Sequence, residues 1–247
     1  MMANYEDLAG KVVLITGAAG GQGTREAEAF VAAGAKVFLT DLAEAGEALA
    51  AHLGDAARFR KHDVASEADW QAVAKDAVDA FGRIDILVNN AGIFSPGTLA
   101  ETTVESFDLH YRVNQLGTFL GVKSISPVMA AQKSGSIINI SSAAGIRGFP
   151  DMIGYTATKW AIQGMTKAMA RELAAAGIRV NSVHPGLVQT QMLGNHTPEG
   201  LAEIAAGVPL GRIGLPQDVC DLVLYLASDV SSYITGAALV IDGGVSL

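Results

Sequence analysis

Val12-Val13-Leu14-Ile15-Thr16 runs into Gly17-Ala18-Ala19-Gly20-Gly21-Gln22-Gly23, and an Ala-rich stretch with helical spacing follows from about Gln22. Apolar and β-branched residues without polar alternation suit a strand covered on both faces. Gly17 permits a tight turn. Gly21 and Gly23 remove side chains where backbone must approach a pyrophosphate lying over a helix N-terminus, whose N–H groups and dipole favour anions. The spacing is G-x-x-x-G-x-G, not the general G-x-G-x-x-G. Its position, after the first strand and at the opening of the first helix, makes it a candidate nucleotide cradle, with Gly17, Gln22 and Gly23 as its contact residues.

Outward from this turn the chain alternates. Val12–Thr16, Lys36–Thr40, Ala57–His62, Ile84–Asn89, Ser136–Ser141, Arg179–His184 and Ala238–Asp242 read as seven strands. Helical stretches are expected near 22–33, 43–53, 67–81, 103–131, 154–175 and 216–228, the third opened by Ser66 and Asp69 much like a capping box. Strand and helix in alternation imply right-handed crossovers and a doubly wound parallel α/β sheet of the Rossmann type. No repeat, linker or composition break divides the chain, so residues 1–247 are expected to form one domain. Pro185–Leu210 departs from the alternation, with four glycines, two further prolines and a weak helical pattern at Leu201–Ala206. A connection that long is usually functional, and a lid over about 187–210 is expected.

The composition narrows the classes. Half of the 247 residues are apolar and 17% are charged, far from a disordered chain. A net charge of −8 with no basic block excludes a nucleic-acid surface and docking on anionic membrane. Cys220 is the only cysteine, so no intrachain disulfide can form, and its apolar neighbours make it a buried small hydrophobe. Glu6 and Asp7 precede the first lysine, no signal-peptide core is visible, and no stretch reaches about 18 uninterrupted apolar residues. A cytoplasmic protein is expected. The five histidines show no paired ligand spacing, so no metal is expected.

The second strand ends at Asp41, eighteen residues past Gly23. A carboxylate there accepts both adenosine-ribose hydroxyls of NAD and repels a 2′-phosphate. Gly20 and Leu42 are neutral and Arg25 lies inside the helix, so no cation stands ready for NADP. His62-Asp63-Val64 and Asn89-Asn90-Ala91-Gly92 fall at the carboxyl ends of the third and fourth strands, where ligands bind in open α/β sheets. Asp63 is a candidate acceptor for the adenine amino group. Asn89 and Asn90 are expected to divide the work of bracing the sheet and meeting the ribose.

Ser142 follows the fifth strand, and thirteen residues on comes Tyr155-Thr156-Ala157-Thr158-Lys159. Tyr155 and Lys159 are i and i+4 on a helix, hence neighbours on one face. Lowering a phenol pKa from about 10 to about 7 takes roughly 4 kcal/mol at ~1.36 kcal/mol per pH unit. An ammonium about 4.5 Å away at an effective dielectric of about 20 supplies about 3.7 kcal/mol. One lysine is about enough, oxidised nicotinamide adds positive charge, and Ser142 can hydrogen-bond the reacting oxygen.

TGAAGGQG at Thr16–Gly23, NNAG at Asn89–Gly92, Ser142, YTATK at Tyr155–Lys159, HPGLVQT at His184–Thr190 and Ile241-Asp242-Gly243-Gly244 together resemble the short-chain dehydrogenase/reductase family, in order over essentially the whole chain. ISS, YTATKW, NSVHPGLV and YLASD resemble its bacterial 3-alpha/20-beta-hydroxysteroid dehydrogenases in particular. The resemblance implies strand order 3-2-1-4-5-6-7, a homotetramer, and hydride transfer to or from nicotinamide. It implies Asn114 as a fourth catalytic residue beside Ser142, Tyr155 and Lys159, holding a water that links Lys159 to solvent. It also sets the cofactor against Leu42, Val64, Asn90, Ala91, Gly92, Pro185, Gly186 and Met192, with Val188 and Thr190 at the carboxamide.

The expected activity is NAD-dependent interconversion of a secondary alcohol and a ketone, with Tyr155 as base. The substrate is expected to be bulky and uncharged. Ile93, Phe94, Ile146, Phe149 and Met152 are on the loops above the nicotinamide, the lid adds Met192, Leu193 and Leu201, and no Lys or Arg occurs from Asn181 through Gly211. Arg147 is the exception, left open between pocket and solvent. Phe94, Phe149, Met152 and Leu193 are the chief candidates for substrate contact. A 3-oxoacyl-carrier-protein reductase is the alternative, opposed by Asp41 and the acidic charge. A nucleotide-sensing protein without activity is more remote, given the complete Ser142/Tyr155/Lys159/Asn114 set. His184 and Trp160 read as packing residues, and His196 as a lid residue within reach of substrate.

Overall fold

The computed structural model describes residues 5–194 and 197–247, with Pro198 described by its backbone only; His196, read above as a lid residue, lies outside them. Seven strands form one sheet: β1 (Val12–Thr16), β2 (Lys36–Asp41), β3 (Ala57–Lys61), β4 (Ile86–Asn89), β5 (Gly135–Ile140), β6 (Ile178–Pro185) and β7 (Ala238–Ile241). Their order is β3-β2-β1-β4-β5-β6-β7. Every neighbouring pair is parallel, as strands joined by helical crossovers must be. The doubly wound parallel fold expected from the alternation is the one found, in the order that the resemblance implies.

All of β1 is buried, and its alternation distributes it between two cores. Val13 and Ile15 pack with Phe30 of α1 (Gly21–Ala32) and with Val223 and Leu224, which lie on a helix near the end of the chain. Leu14 packs on the other face with Trp70, Leu87, Ile125 and Ile137. The remaining helices are α2 (Ala45–Leu53), α3 (Glu67–Phe81), α4 (Val104–His110), α5 (Gly117–Gln132), α6 (Ile153–Leu173), α7 (Pro198–Ala206) and α8 (Pro216–Ala227). Ser66 caps α3 through Asp69 N–H, but the Asp69 carboxylate reaches Asp63 N–H and not Ser66, so half of the expected capping box forms.

Two departures from the sequence reading bear on the site. The fourth strand starts at Ile86 because the Asp85 carboxylate turns to accept Val12 N–H and the Arg83 guanidinium. The helix expected over 103–131 is interrupted by a π-helical turn, Tyr111–Leu116, carrying Asn114. Such turns are common at functional sites. The long connection after β6 contains a helical turn at Gln191–Leu193 and α7, capped by the Thr197 hydroxyl on Gly200 N–H. Its base is pinned to Gly214 by two backbone hydrogen bonds of 2.9 and 2.8 Å. Among the described residues no helix is long and apolar enough to cross a membrane.

Candidate active site

The strand order reverses between β1 and β4, and the crevice at their carboxyl ends is where open α/β sheets bind ligands. A cavity of about 560 Å³ opens there. The glycine turn forms one rim. Gly17 and Gly21 both have positive φ, at 65° and 53°, which side chains resist. Gly23 departs from its expected role: a Cβ there would lie 2.3 Å from Gly17 O, and the residue is outside the lining. It lets α1 close on the turn. Gln22 lines the cavity with its buried Nε2 unpartnered among the described residues.

Asp41 ends β2 with one carboxylate oxygen accepting Ala19 N–H and the other Ala43 N–H, each at 2.9 Å. The turn thus fixes the carboxylate at the rim, beside exposed Leu42. Asp63 does not line the cavity: its Oδ1 accepts Ala65 N–H at 2.9 Å, closing its own turn. In its place His62 and Val64 face inward. His62 is held edge-on to Trp70 and 3.0 Å from Thr40 Oγ1, and burial pulls its pKa down to about 4. The two asparagines do divide their work. Asn89 donates to Asn139 across the sheet, while Asn90 lines the cavity and spends its amide on Thr16 O and Gly17 O. Thr16 is the organiser missed in the sequence: its hydroxyl accepts from both Asn90 N and Ala91 N.

Ser142, Tyr155 and Lys159 meet in the lining of the cavity. Ser142 lies near enough to the Tyr155 phenol to favour its ionised form, and Lys159 Nζ stands 5.4 Å from the Tyr155 ring centre. The electrostatics differ from the expected ones. Burial raises the Tyr155 phenol above its ordinary value, opposed only by neighbouring Ser142. Burial also lowers the Lys159 ammonium to about 8, and its Nζ donates to Ile140 O at 2.9 Å. The lysine alone therefore does not bring the phenol toward neutrality in this arrangement.

Asn114 is fully buried and outside the cavity lining. Its carboxamide donates to Ile93 O, accepts Ile93 N–H and reaches Thr158 Oγ1. The side chain clasps the loop after β4. That loop is gripped a second time by His110, whose Nδ1–H donates to Ser106 O at 2.8 Å while its Nε2 accepts Ser95 N–H at 3.2 Å. Phe94 is thereby set edge-on to Tyr155, with ring centres 5.1 Å apart.

The rest of the wall is as expected in kind. Ala91, Gly92, Pro185, Gly186, Val188, Thr190 and Met192 line it, as do Phe94, Phe149, Met152 and Leu193. Ile146 and Leu201 do not, and Val113 and Val245 join from segments the sequence left unmarked. Arg147 stays outside: it donates to Val245 O and Leu247 O and stacks on Phe149, so it ties the final residues to the cavity wall. Lys159 is the only Lys or Arg, and Asp41 the only carboxylate, among the described lining residues. Trp160 is 47% exposed on α6, not packed inside as expected. Cys220 is buried, with its thiol pushed up to about 12 mainly by burial.

The family model described as "Enoyl-(Acyl carrier protein) reductase" matches residues 17–246. The chain is 48% identical to the 3-alpha-(or 20-beta)-hydroxysteroid dehydrogenase of Mycobacterium tuberculosis over 238 residues, covering 96% of this chain and 90% of that one. It is 44% identical to the trans-4-hydroxycyclohexanecarboxylate dehydrogenase of Sinomonas cyclohexanicum, over 96% and 93% of the two chains. The crystal structure of a 3-ketoacyl-(acyl-carrier-protein) reductase from Brucella melitensis complexed with NADH superposes with a TM-score of 0.91 at 37% identity, covering 97% of this chain and all of that one. The sheet order, the glycine turn and the Ser142–Tyr155–Lys159 cluster agree with these likenesses: the chain belongs to the short-chain dehydrogenase/reductase family, oxidoreductases of alcohol and carbonyl groups.

Proposed function

We propose that the protein is an NAD-dependent dehydrogenase that interconverts a bulky, uncharged secondary alcohol and its ketone. The observation that carries this reading is the cavity itself, where Ser142, Tyr155 and Lys159 meet under a largely apolar wall and Asp41 guards the far rim. NAD fits the residues present. The glycine turn has no Cβ to obstruct a pyrophosphate at Gly17 or Gly21, and Gln22 Nε2 is a buried donor without a partner among the described residues. Asp41 suits two ribose hydroxyls and repels a 2′-phosphate. Leu42, Val64 and Ala91 offer an apolar slot for adenine, and Pro185, Gly186, Val188, Thr190 and Met192 a wall for nicotinamide and its carboxamide.

Bound NAD supplies the hydride acceptor and, when oxidised, a positive charge beside the phenol. Tyr155 takes the hydroxyl proton in the oxidative direction, and Ser142 orients the reacting oxygen. Lys159, brought to about 8 by burial, stands beside the phenol and offers a donor toward the ribose. Asn114 and His110 fix the loop that carries Phe94 against Tyr155. An alicyclic or steroid skeleton burying some 200 Å² of apolar surface gains about 5 kcal/mol before association costs. We place the enzyme in the cytoplasm as a homotetramer.

A 3-oxoacyl-carrier-protein reductase is the second reading, favoured by the Brucella structure. Cofactor preference alone does not separate the two, because that relative is itself complexed with NADH. Substrate does. Reduced-cofactor absorbance is followed with NAD or NADP and a panel of cyclic and steroid alcohols, hydroxyacids and 3-hydroxyacyl thioesters. The reading expects NAD and the uncharged cyclic set to give the highest kcat/KM. Higher values for the thioesters, or for NADP, overturn it.

A further inference from the structure

The sequence presents His184 as a strand-end packing residue, yet its ring makes two directed contacts. On β6 it is fully buried, with Nδ1 3.0 Å from Ser142 O and Nε2 2.9 Å from Ser182 Oγ. A carbonyl oxygen only accepts, so Nδ1 carries the proton and Nε2 takes the hydrogen from Ser182 Oγ. Burial, with Lys159 nearby, lowers the imidazole pKa and keeps this neutral form. Ser182 is itself fully buried within the same strand, giving the ring a fixed base.

The other end of this chain is Ser142. It follows β5 at the mouth of the cavity, with φ −168° and ψ 163°, and opens the short turn Ala143–Gly145. Its carbonyl also accepts Gly145 N–H at 2.8 Å, and its hydroxyl accepts Ala144 N–H at 3.1 Å. Those two contacts are made within its own turn and move with it. One residue earlier Ser141 N–H bonds Val183 O on β6, and the His184 bond is the side-chain tie from that strand to the Ser142 carbonyl itself.

We infer that His184 is a positioning residue that anchors the Ser142 peptide to β6, so that the Ser142 hydroxyl meets Tyr155 at the reacting oxygen. The inference rests on the proposed role of Ser142. A serine freed by about 1 Å costs on the order of 10²-fold in rate.

The test uses isosteres that keep one contact each. Asn places its amide N–H where Nδ1–H stands, so His184→Asn retains the bond to Ser142 O and loses Ser182. His184→Gln reaches the Nε2 position, keeps Ser182 and loses Ser142 O. Expected are kcat near wild type for H184N and a fall of about 10- to 100-fold for H184Q. NAD dissociation constant and Tm should match between the two. In a Ser142→Ala background the Gln substitution should cost less than about twofold further, the non-additivity of residues acting as one unit. Crystal structures of H184N and H184Q should show Ser142 Oγ displaced in the Gln variant alone. Equal activity of the two variants, or a full additional loss in the S142A background, overturns the inference. If the wild type turns over no alcohol with NAD, the functional proposal falls, and an unmoved Ser142 in the H184Q crystal would separately reject the anchor.

Discussion

Glu26→Gln is the substitution whose effect can be worked furthest from the structure. Glu26 sits on α1, the helix that follows the glycine turn; it is fully buried, and neither carboxylate oxygen has a partner among the described residues. Burial raises its pKa from 4.5 to about 8. The neighbouring Cys220 thiol, pushed up to about 12 by burial with Glu26 contributing, shows that charge is disfavoured throughout this contact between α1 and α8. In the unfolded chain the carboxyl ionises at its ordinary value, so from about pH 4.5 upward the unfolded state releases a proton that the native state keeps. The stabilising contribution is thus complete below about 4.5, shrinks as pH rises, and is lost above about 8. That span, at ~1.36 kcal/mol per pH unit, amounts to about 5 kcal/mol. For a domain of this size it corresponds to about 10–20 °C in Tm. Gln keeps the shape and does not ionise. Its Tm relative to wild type should therefore climb between pH 5 and 9, whatever constant cost the buried amide carries. Thermal melts of both proteins across that range, at fixed ionic strength, provide the measurement. Parallel Tm curves would refute the assignment of a neutral, buried Glu26.

Three further outcomes follow from the same geometry. Asp41→Ala combined with Leu42→Arg removes the rim carboxylate and adds a cation, so the NADP-to-NAD ratio of kcat/KM should rise by at least about tenfold, equivalent to roughly 1.4 kcal/mol; an unchanged ratio would show that the ribose lies elsewhere. Gly23→Ala sets a methyl 2.3 Å from Gly17 O, which should cost about 1–3 kcal/mol as a lowered Tm and weaken NAD binding in fluorescence titration. Arg147→Met keeps an apolar stem on Phe149 but frees Val245 and Leu247, so KM for steroid-sized alcohols should rise severalfold while small open-chain alcohols are unaffected. Equal KM changes for both sizes would place Arg147 outside substrate recognition.

The fold was legible because its determinants are local and periodic. Val12–Thr16 buries all five residues between two helical layers, and a run without polar alternation states that directly. The catalytic cluster was legible through i, i+4 spacing and the serine after β5. What stayed hidden depends on through-space partners. Asp63 is a loop carboxylate at a strand end, and its bond to Ala65 N–H, which closes its own turn, was not legible there. Gly23 looks like the other glycines of the turn until the 2.3 Å approach to Gly17 O is measured. The family resemblance singled out Asn114, but not that its carboxamide would be spent on Ile93, 21 positions away. The burial of Tyr155 and Lys159 stayed hidden for a related reason. The spacing gives proximity to Lys159, but desolvation of both groups, visible only once buried, opposes the charge effect.

The most direct test of the account is Tyr155→Phe, which deletes one hydroxyl from the floor of the cavity and leaves the ring against Phe94 and His110. Turnover of the best cyclic alcohol with NAD and the NAD dissociation constant are measured on the same preparation. The account predicts a fall in kcat of at least about 10²–10⁴-fold with NAD affinity unchanged within about twofold. Near-normal turnover by the Phe variant would contradict it, because the proposed proton acceptor would be gone.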